Sequence, residues 1–160
     1  TPGGHRRVGS TSLVEFLRSQ KMPVPRQLAA TRLLVIDDQP EFLSSLGEAL
    51  RRASTRLEVD LAESAVDGLL KIGLRRPDAV LLDAYMPGMD GPEVCRRIKS
   101  QPETAHVAVM AMSGRRSDEL VARFERAGAA CFIAKPLKTM VILEQLEALG
   151  LLSSREPAEP

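Results

Sequence analysis

Between Arg32 and Leu149 the hydrophobic pattern alternates between two rhythms. Leu33-Leu34-Val35-Ile36, Ala79-Val80-Leu81-Leu82, Val107 to Met112 and Cys131 to Ala134 are short, unbroken apolar runs. Such runs predict strands buried on both faces. Leu57, Val59 and Leu61 alternate with polar residues and predict a fifth strand, second in chain order. Stretches with helical spacing stand between them. Pro40 suits a first helical turn, and the helix it opens carries Phe42, Leu46, Ala49 and Ala53 on its apolar face, with Leu43 and Leu50 beside them. Arg51-Arg52 complements the negative end of that helix. Ser64 is placed to cap a helix carrying Val66, Leu69 and Leu70. A helix from Pro92 turns Val94, Cys95 and Ile98 inward; Leu120, Val121 and Phe124 mark the next, and Thr139 to Leu149 form the last. Five strand–helix units in a row predict an α/β fold, a doubly wound five-stranded parallel sheet with helices on both faces.

The flanks read differently. Residues 10–21 predict a short helix, with Ser12 and Glu15 in a capping-box pattern and Leu13, Val14, Phe16 and Leu17 supplying apolar surface. Met22-Pro23-Val24-Pro25 has the composition of a stiff linker. The polar, Pro-rich end predicts disorder. The expected organisation is therefore an N-terminal piece over 1–21, a linker over 22–31, one domain over 32–149 and a disordered tail over 150–160. The chain starts at Thr1 rather than Met, as a piece of a longer protein would.

Composition narrows the class. With 160 residues, 44% of them hydrophobic, the chain can build one packed core, and no apolar run approaches membrane-spanning length. Neither a secretory signal nor a membrane partner is expected, and a cytoplasmic location is. Cys95 and Cys131 sit far apart in apolar surroundings, as free thiols in a reducing compartment do. A net charge of +1 gives no composition-level sign of nucleic-acid binding.

The chemistry lies at the strand ends. In an open parallel sheet, ligands bind beyond the carboxyl ends of the strands. The first strand ends at Asp37 and Asp38, the third at Asp83, the fourth at Ser113 and the fifth at Lys135. Singly, each is an ordinary turn or cap residue. Jointly they bring three carboxylates, a hydroxyl and an ammonium to one edge. Carboxylates so crowded need a positive partner, and Mg²⁺ suits a site with few carboxylates that must also accept phosphate oxygens. One carboxylate can then act as a nucleophile toward phosphorus, with Ser113 donating to a phosphoryl oxygen and Lys135 balancing charge.

These residues resemble the receiver domains of bacterial two-component response regulators. Leu34-Val35-Ile36-Asp37-Asp38 is similar to the family's acidic pair. Leu81 to Gly91 (LLDAYMPGMDG) is similar to its phosphoacceptor loop, Met112-Ser113-Gly114 to its switch hydroxyl, and Lys135-Pro136 to its conserved lysine. The resemblance implies a flavodoxin-like sheet in the order 2-1-3-4-5, an order established for this fold class. It implies that Asp83 is the phosphoacceptor, and that Asp37, Asp38, Asp83 and the Tyr85 backbone carbonyl hold Mg²⁺. Ser113 and Phe132 would be the switch residues, and the Lys135–Pro136 bond commonly cis. The surface of the domain's fourth helix, fifth strand and fifth helix would then change partner preference. The implied partners are a histidine kinase or phosphotransfer protein, and a second copy in a homodimer. Two positions depart from the pattern: Gly114 stands where alanine is commoner, and the bulky Tyr85 is expected to shield the phosphoryl group from water.

Thr1-Pro2-Gly3-Gly4-His5-Arg6-Arg7, with the following Phe16-Leu17 helix, resembles the end of a MerR/excisionase-type winged helix-turn-helix domain. That implies transcription regulation, with DNA bound only through a domain ahead of this chain; a flexible basic tail is the alternative for the segment. A receiver-only phosphorelay or interaction module remains the alternative function. A haloacid-dehalogenase-type phosphatase fits poorly, because its nucleophilic Asp comes early and its acidic pair late, the reverse of the order here. Slow self-catalysed phosphoryl transfer, not enzymatic turnover of a substrate, is the expectation.

Overall fold

The computed structural model describes residues 10–25 and 29–153. The chain divides into two compact units, Thr1–Ala30 and Thr31–Pro160. In the first, helix α1 spans Ser10–Ser19, and Leu13 and Phe16 are exposed on it. The helical backbone already begins at Ser10, so Ser12 stands inside the helix rather than at its start. The Gly3-Gly4 and Arg6-Arg7 pattern lies outside the described residues.

The second unit is built from β1 (Thr31–Ile36), α2 (Pro40–Ala53), β2 (Leu57–Ala62), α3 (Ala65–Arg75), β3 (Ala79–Asp83), β4 (Tyr85–Met86), β5 (Met89–Asp90), α4 (Gly91–Ser100), β6 (Ala108–Ser113), α5 (Asp118–Ala127), β7 (Cys131–Ala134) and α6 (Thr139–Ala148). The main sheet runs β2-β1-β3-β6-β7, and every pairing in it is parallel. Setting aside the small β4–β5 ribbon, this is the expected 2-1-3-4-5 order of a doubly wound flavodoxin-like sheet. Successive strand residues face opposite sides. Leu33, Val35, Leu81, Met110 and Met112 therefore pack with α2 and α6, while Leu34, Ile36, Val80, Leu82 and Ala111 pack with α3, α4 and α5.

Two helices turn differently from the expectation. On α2 the buried stripe is Leu43, Leu46, Gly47 and Leu50; Phe42 is half-buried and Ala53 exposed. On α3, Val66 and Leu70 point outward, 61% and 62% exposed, and the inward face is Ala65, Gly68 and Ile72. The reason is close approach at Gly68, where an added Cβ would lie 2.4 Å from Ile36 Cδ1. The helix docks through its smallest residue and turns its larger ones out. Ser64 does cap α3, accepting from the Asp67 amide at 3.1 Å, and Ser117 caps α5 in the same way through Leu120.

The segment after α6 is anchored further than predicted. Leu151 and Leu152 pack against the α2/α6 core, and the Thr31 hydroxyl donates to the Leu151 carbonyl. At one edge of the sheet, β2 has cations on its free carbonyls. Arg51 donates to Val59 O at 2.7 Å and Lys71 to Leu61 O at 2.6 Å. Such charged cover blunts an edge that would otherwise invite another strand. Among the described residues, no helix is long and apolar enough to cross a membrane.

Candidate functional site

The carboxyl ends of β1, β3, β6 and β7 meet at one rim of the sheet, and register fixes the meeting. Asp83 pairs with Met112, and Ser113 with Ala134, so the groups following these positions stand side by side. Backbone bonds continue past the strand ends: Ala84 N donates to Met112 O at 2.9 Å, and Lys135 N to Ser113 O at 2.8 Å. The Lys135–Pro136 bond is cis.

The Lys135 ammonium is the hub. Its Nζ lies 2.6 Å from Asp37 Oδ2 and 3.0 Å from Asp83 Oδ1. The Asp37 carboxylate is fully buried, and its other oxygen accepts the Gln39 amide at 2.9 Å. Asp83 is 6% exposed and its Oδ2 accepts the Tyr85 amide at 3.2 Å. Asp38 is half-buried, and it offers a carboxylate oxygen that lies within 4.8 Å of oxygens of both Asp37 and Asp83. Three carboxylates therefore face one ammonium.

Burial first, and then these neighbouring charges, shift the protonation equilibria of Asp83 and Lys135. Burial pushes the Asp83 carboxyl above its ordinary 3.8; Lys135 pulls it down, and the Asp37 charge adds to the rise. For Lys135, burial alone would lower the pKa, but its bonds to Asp37 and Asp83 together with their charges hold it above 10.5. The cysteines take no part. Cys95 is buried near the Ala127 carbonyl and pushed up to about 11 by burial, and Cys131 is raised for the same reason.

An open cleft of about 460 Å³ leads to Asp83, lined by Gln39, Asp83, Tyr85, Ser113, Gly114, Arg115 and Lys135. Asp38 faces a neighbouring depression bounded by the Tyr85–Asp90 ribbon. Tyr85, 53% exposed, stands on the rim between the two. The Ser113 hydroxyl is held by its own loop: it accepts from Arg115 N at 3.0 Å and lies 3.2 Å from Arg115 O. No side chain projects from Gly114 into this space, and an added Cβ there would meet nothing within 4 Å. Phe132 does not line the cleft. Its half-buried ring meets Phe124 of α5 edge-on, centroids 5.9 Å apart, with the Arg116 guanidinium 6.0 Å from its centre.

Gly91 sets how tightly the loop folds. A Cβ there would lie 2.6 Å from the Asp83 carbonyl oxygen and 2.8 Å from Ala84 Cα. With Gly88 at φ +80°, it lets Tyr85–Met86 turn back on Met89–Asp90 as a two-residue ribbon. Arg123 of α5 pairs with Asp90 at the end of that ribbon, tying α5 to the loop that carries Asp83.

Asp37, Asp38, Asp83, Ser113 and Lys135, the five groups read from the strand ends, thus stand at one rim, with Tyr85, which only the resemblance named, beside them. Three neighbours were not anticipated from the sequence. The Phe42 ring centre lies 4.4 Å from Lys135 Nζ, Gln39 braces Asp37, and Arg115 lines the cleft. Phe42 stands in the first turn of α2, directly after the acidic pair. That position was the available signal.

The family model of the response regulator receiver domain matches residues 33–147. The transcriptional regulatory protein AfsQ1 of Streptomyces coelicolor is 32% identical over 127 residues, covering 79% of this chain and 54% of that protein. Response regulator MprA of a Mycobacterium species (strain KMS) is 37% identical over 118 residues, covering 74% of this chain and 50% of that protein. The chain thus spans about half the length of these curated relatives. Among solved structures, the signal receiver domain of a DNA-binding response regulator protein from Colwellia psychrerythraea 34H aligns with a TM-score of 0.71 at 33% identity, over 76% of this chain and 99% of that one.

Proposed function

This chain belongs to the response regulator receiver domain family, and from that premise we propose that Asp83 accepts a phosphoryl group from a histidine kinase or phosphotransfer protein. The observation that carries the proposal is the bridge of Lys135 between Asp37 and Asp83, with Asp38 alongside. One ammonium leaves two negative charges over, which fits a divalent cation. Asp37, Asp38, Asp83 and the Tyr85 carbonyl are the groups that would hold Mg²⁺; when bound, it neutralises carboxylate and phosphoryl charge together.

In the proposed reaction, a carboxylate oxygen of Asp83 forms a bond to phosphorus. The bond from phosphorus to the donor atom breaks, and its electron pair leaves with the donor. Lys135 shifts part of its attraction from the carboxylate to the incoming phosphoryl oxygens. The Tyr85 amide keeps the carboxyl oriented, and its half-exposed ring screens the product from water. The Ser113 hydroxyl leaves its bonds to Arg115 and donates to a phosphoryl oxygen. The new group brings about 1.5–2 negative charges, and the loop that held Ser113 carries Arg115 and Arg116. Release of that loop frees the Arg116–Phe132 contact, so Phe132 moves inward and the surface of α5, β7 and α6 is altered. This is a two-state switch biased by one local charge.

Incubation with acetyl phosphate and Mg²⁺, followed by intact mass measurement, tests the core of the reading. One added phosphoryl group on wild type and none on Asp83→Asn is expected. Equal labelling of the two would remove Asp83 from its role.

For output, we propose control of DNA binding by a domain on the N-terminal side. Two observations favour it: AfsQ1 is named a transcriptional regulatory protein, and residues 1–21 resemble the end of a winged helix-turn-helix domain. A helix-turn-helix pattern ahead of Thr1 in the intact gene product is the expected finding. Its absence would favour a phosphorelay or docking module.

A further inference from the structure

The outward face of α3 carries an apolar stripe that nothing in the proposed switch uses. Val66, Leu70 and Leu74 are 61%, 62% and 81% exposed. Spaced four residues apart, they line one side of the helix for about 12 Å. An added Cβ at Gly73, in the same stretch, would meet nothing within 4 Å. A neighbouring helix can therefore come close at that point. On one border, Lys71 is committed to Asp67 at 2.8 Å and to the Leu61 carbonyl. The face sits over the β1/β2 side of the sheet, far from β7 at the opposite edge.

The charges at the two ends of α3 say what covers it. Glu63 precedes the helix at its N-terminal end, and Arg75 and Arg76 close its C-terminal end. Among the described residues, none of these three side chains has an ion-pair partner. A second α3 laid antiparallel across Leu70 brings each Glu63 toward the arginines of the other copy. It also sets the helix dipoles antiparallel, the positive end of each beside the negative end of the other. We propose that α3 is a self-complementary contact through which two copies of this chain pair about a twofold axis, Leu70 against Leu70. The pairing is independent of phosphorylation at Asp83. Three side chains bury far less than the roughly 800 Å² per partner of a standard interface, so the dimer is weak and concentration-dependent.

Sedimentation velocity on the whole 160-residue chain, from about 10 µM to about 1 mM, tests this. Wild type and Asp83→Asn are both expected to shift from monomer to dimer over that range, with or without acetyl phosphate and Mg²⁺. Leu70→Glu is expected to remain monomeric. Glu63→Arg and the double change Arg75→Glu with Arg76→Glu should each weaken pairing at least threefold. Combining all three should restore it, which a merely apolar contact would not do. Circular dichroism checks that Leu70→Glu folds; if it does not, Leu74→Glu, still more exposed, takes its place. A monomer at the highest concentration would overturn the proposal, as would an undiminished dimer in the α3 variant. So would a dimer that forms only after phosphorylation and is lost in Asp83→Asn. Because Asp83→Asn is expected to pair, failure here and failure of the phosphoacceptor reading are separate outcomes.

Discussion

At the scale of single residues, the site is governed by how one ammonium is shared. Lys135 has two carboxylate partners and an aromatic face 4.4 Å from its nitrogen. A desolvated cation–π contact contributes about 1–2 kcal/mol. Phe42→Leu keeps the apolar volume and removes the face, so phosphorylation by acetyl phosphate is expected to slow by about 5–30-fold. Phe42→Tyr should recover most of that rate. Equal rates for Leu, Tyr and wild type would reduce Phe42 to packing.

Asp83 gives a second residue-scale consequence. Burial, opposed by Lys135 and reinforced by Asp37, holds its carboxyl above 3.8 in the folded chain. Between 3.8 and that raised value the folded state binds the proton and the unfolded chain does not. Stability therefore falls as pH rises through this window. In EDTA, Asp83→Asn is expected to be more stable than wild type at pH 7, with the gap closing toward pH 4. Urea unfolding at the two pH values measures it, and a gap that widens on acidification would reverse the assigned sign. The carboxylates were legible in the sequence because each ends a strand, and strand ends have a known destination. Phe42 was not. An aromatic residue at helical spacing reads as core, and only coordinates show that its face meets a charge arriving from a strand about 90 residues later.

Among the elements, the tightest joint lies between the Asp83 loop and α4. Gly91 permits it, since any Cβ would press on backbone that has no freedom to yield. Gly91→Ala is expected to cost about 1–3 kcal/mol and to slow phosphorylation, because the displaced carbonyl belongs to Asp83 itself. Gly73→Ala is the internal comparison. It meets open space inside a helix and should stabilise by about 0.5–1 kcal/mol. Similar urea midpoints for the two variants would show that the contact at Gly91 is slack. The strands were readable almost to the residue, since a run buried on both faces leaves little choice. Helix faces were less so. On α3, Val66, Leu69 and Leu70 looked like one inward set, but Gly68 against Ile36 decides the rotation and sends Val66 and Leu70 to solvent. A glycine gives no hydrophobic signal, so a helix that docks through one looks turned the wrong way. The β4–β5 ribbon escaped for a related reason: two residues a side are too few for any period to appear.

At the scale of the whole molecule, folding itself creates the charge problem that the site exploits. Asp37, Asp38 and Asp83 are separated by up to 46 positions along the chain and are far apart when it is unfolded; the sheet draws their oxygens within 4.8 Å. A divalent cation that uses all three therefore binds the folded state almost exclusively. Binding of that kind stabilises by about 2.7 kcal/mol at a hundredfold excess over Kd. For a unit of this size that corresponds to a Tm rise of roughly 5–15 °C. Mg²⁺ titrated into EDTA-treated protein should give a saturable rise of this order. Asp38→Asn and Asp83→Asn should each lose most of it. Ser113→Ala should keep it, because that hydroxyl bonds its own loop and stands outside the carboxylate cluster. Sodium chloride at matched ionic strength separates binding from screening, since screening acts on all exposed charges alike. If sodium reproduces the magnesium rise, or if Asp38→Asn retains it, the three carboxylates do not form one metal site, whatever their spacing.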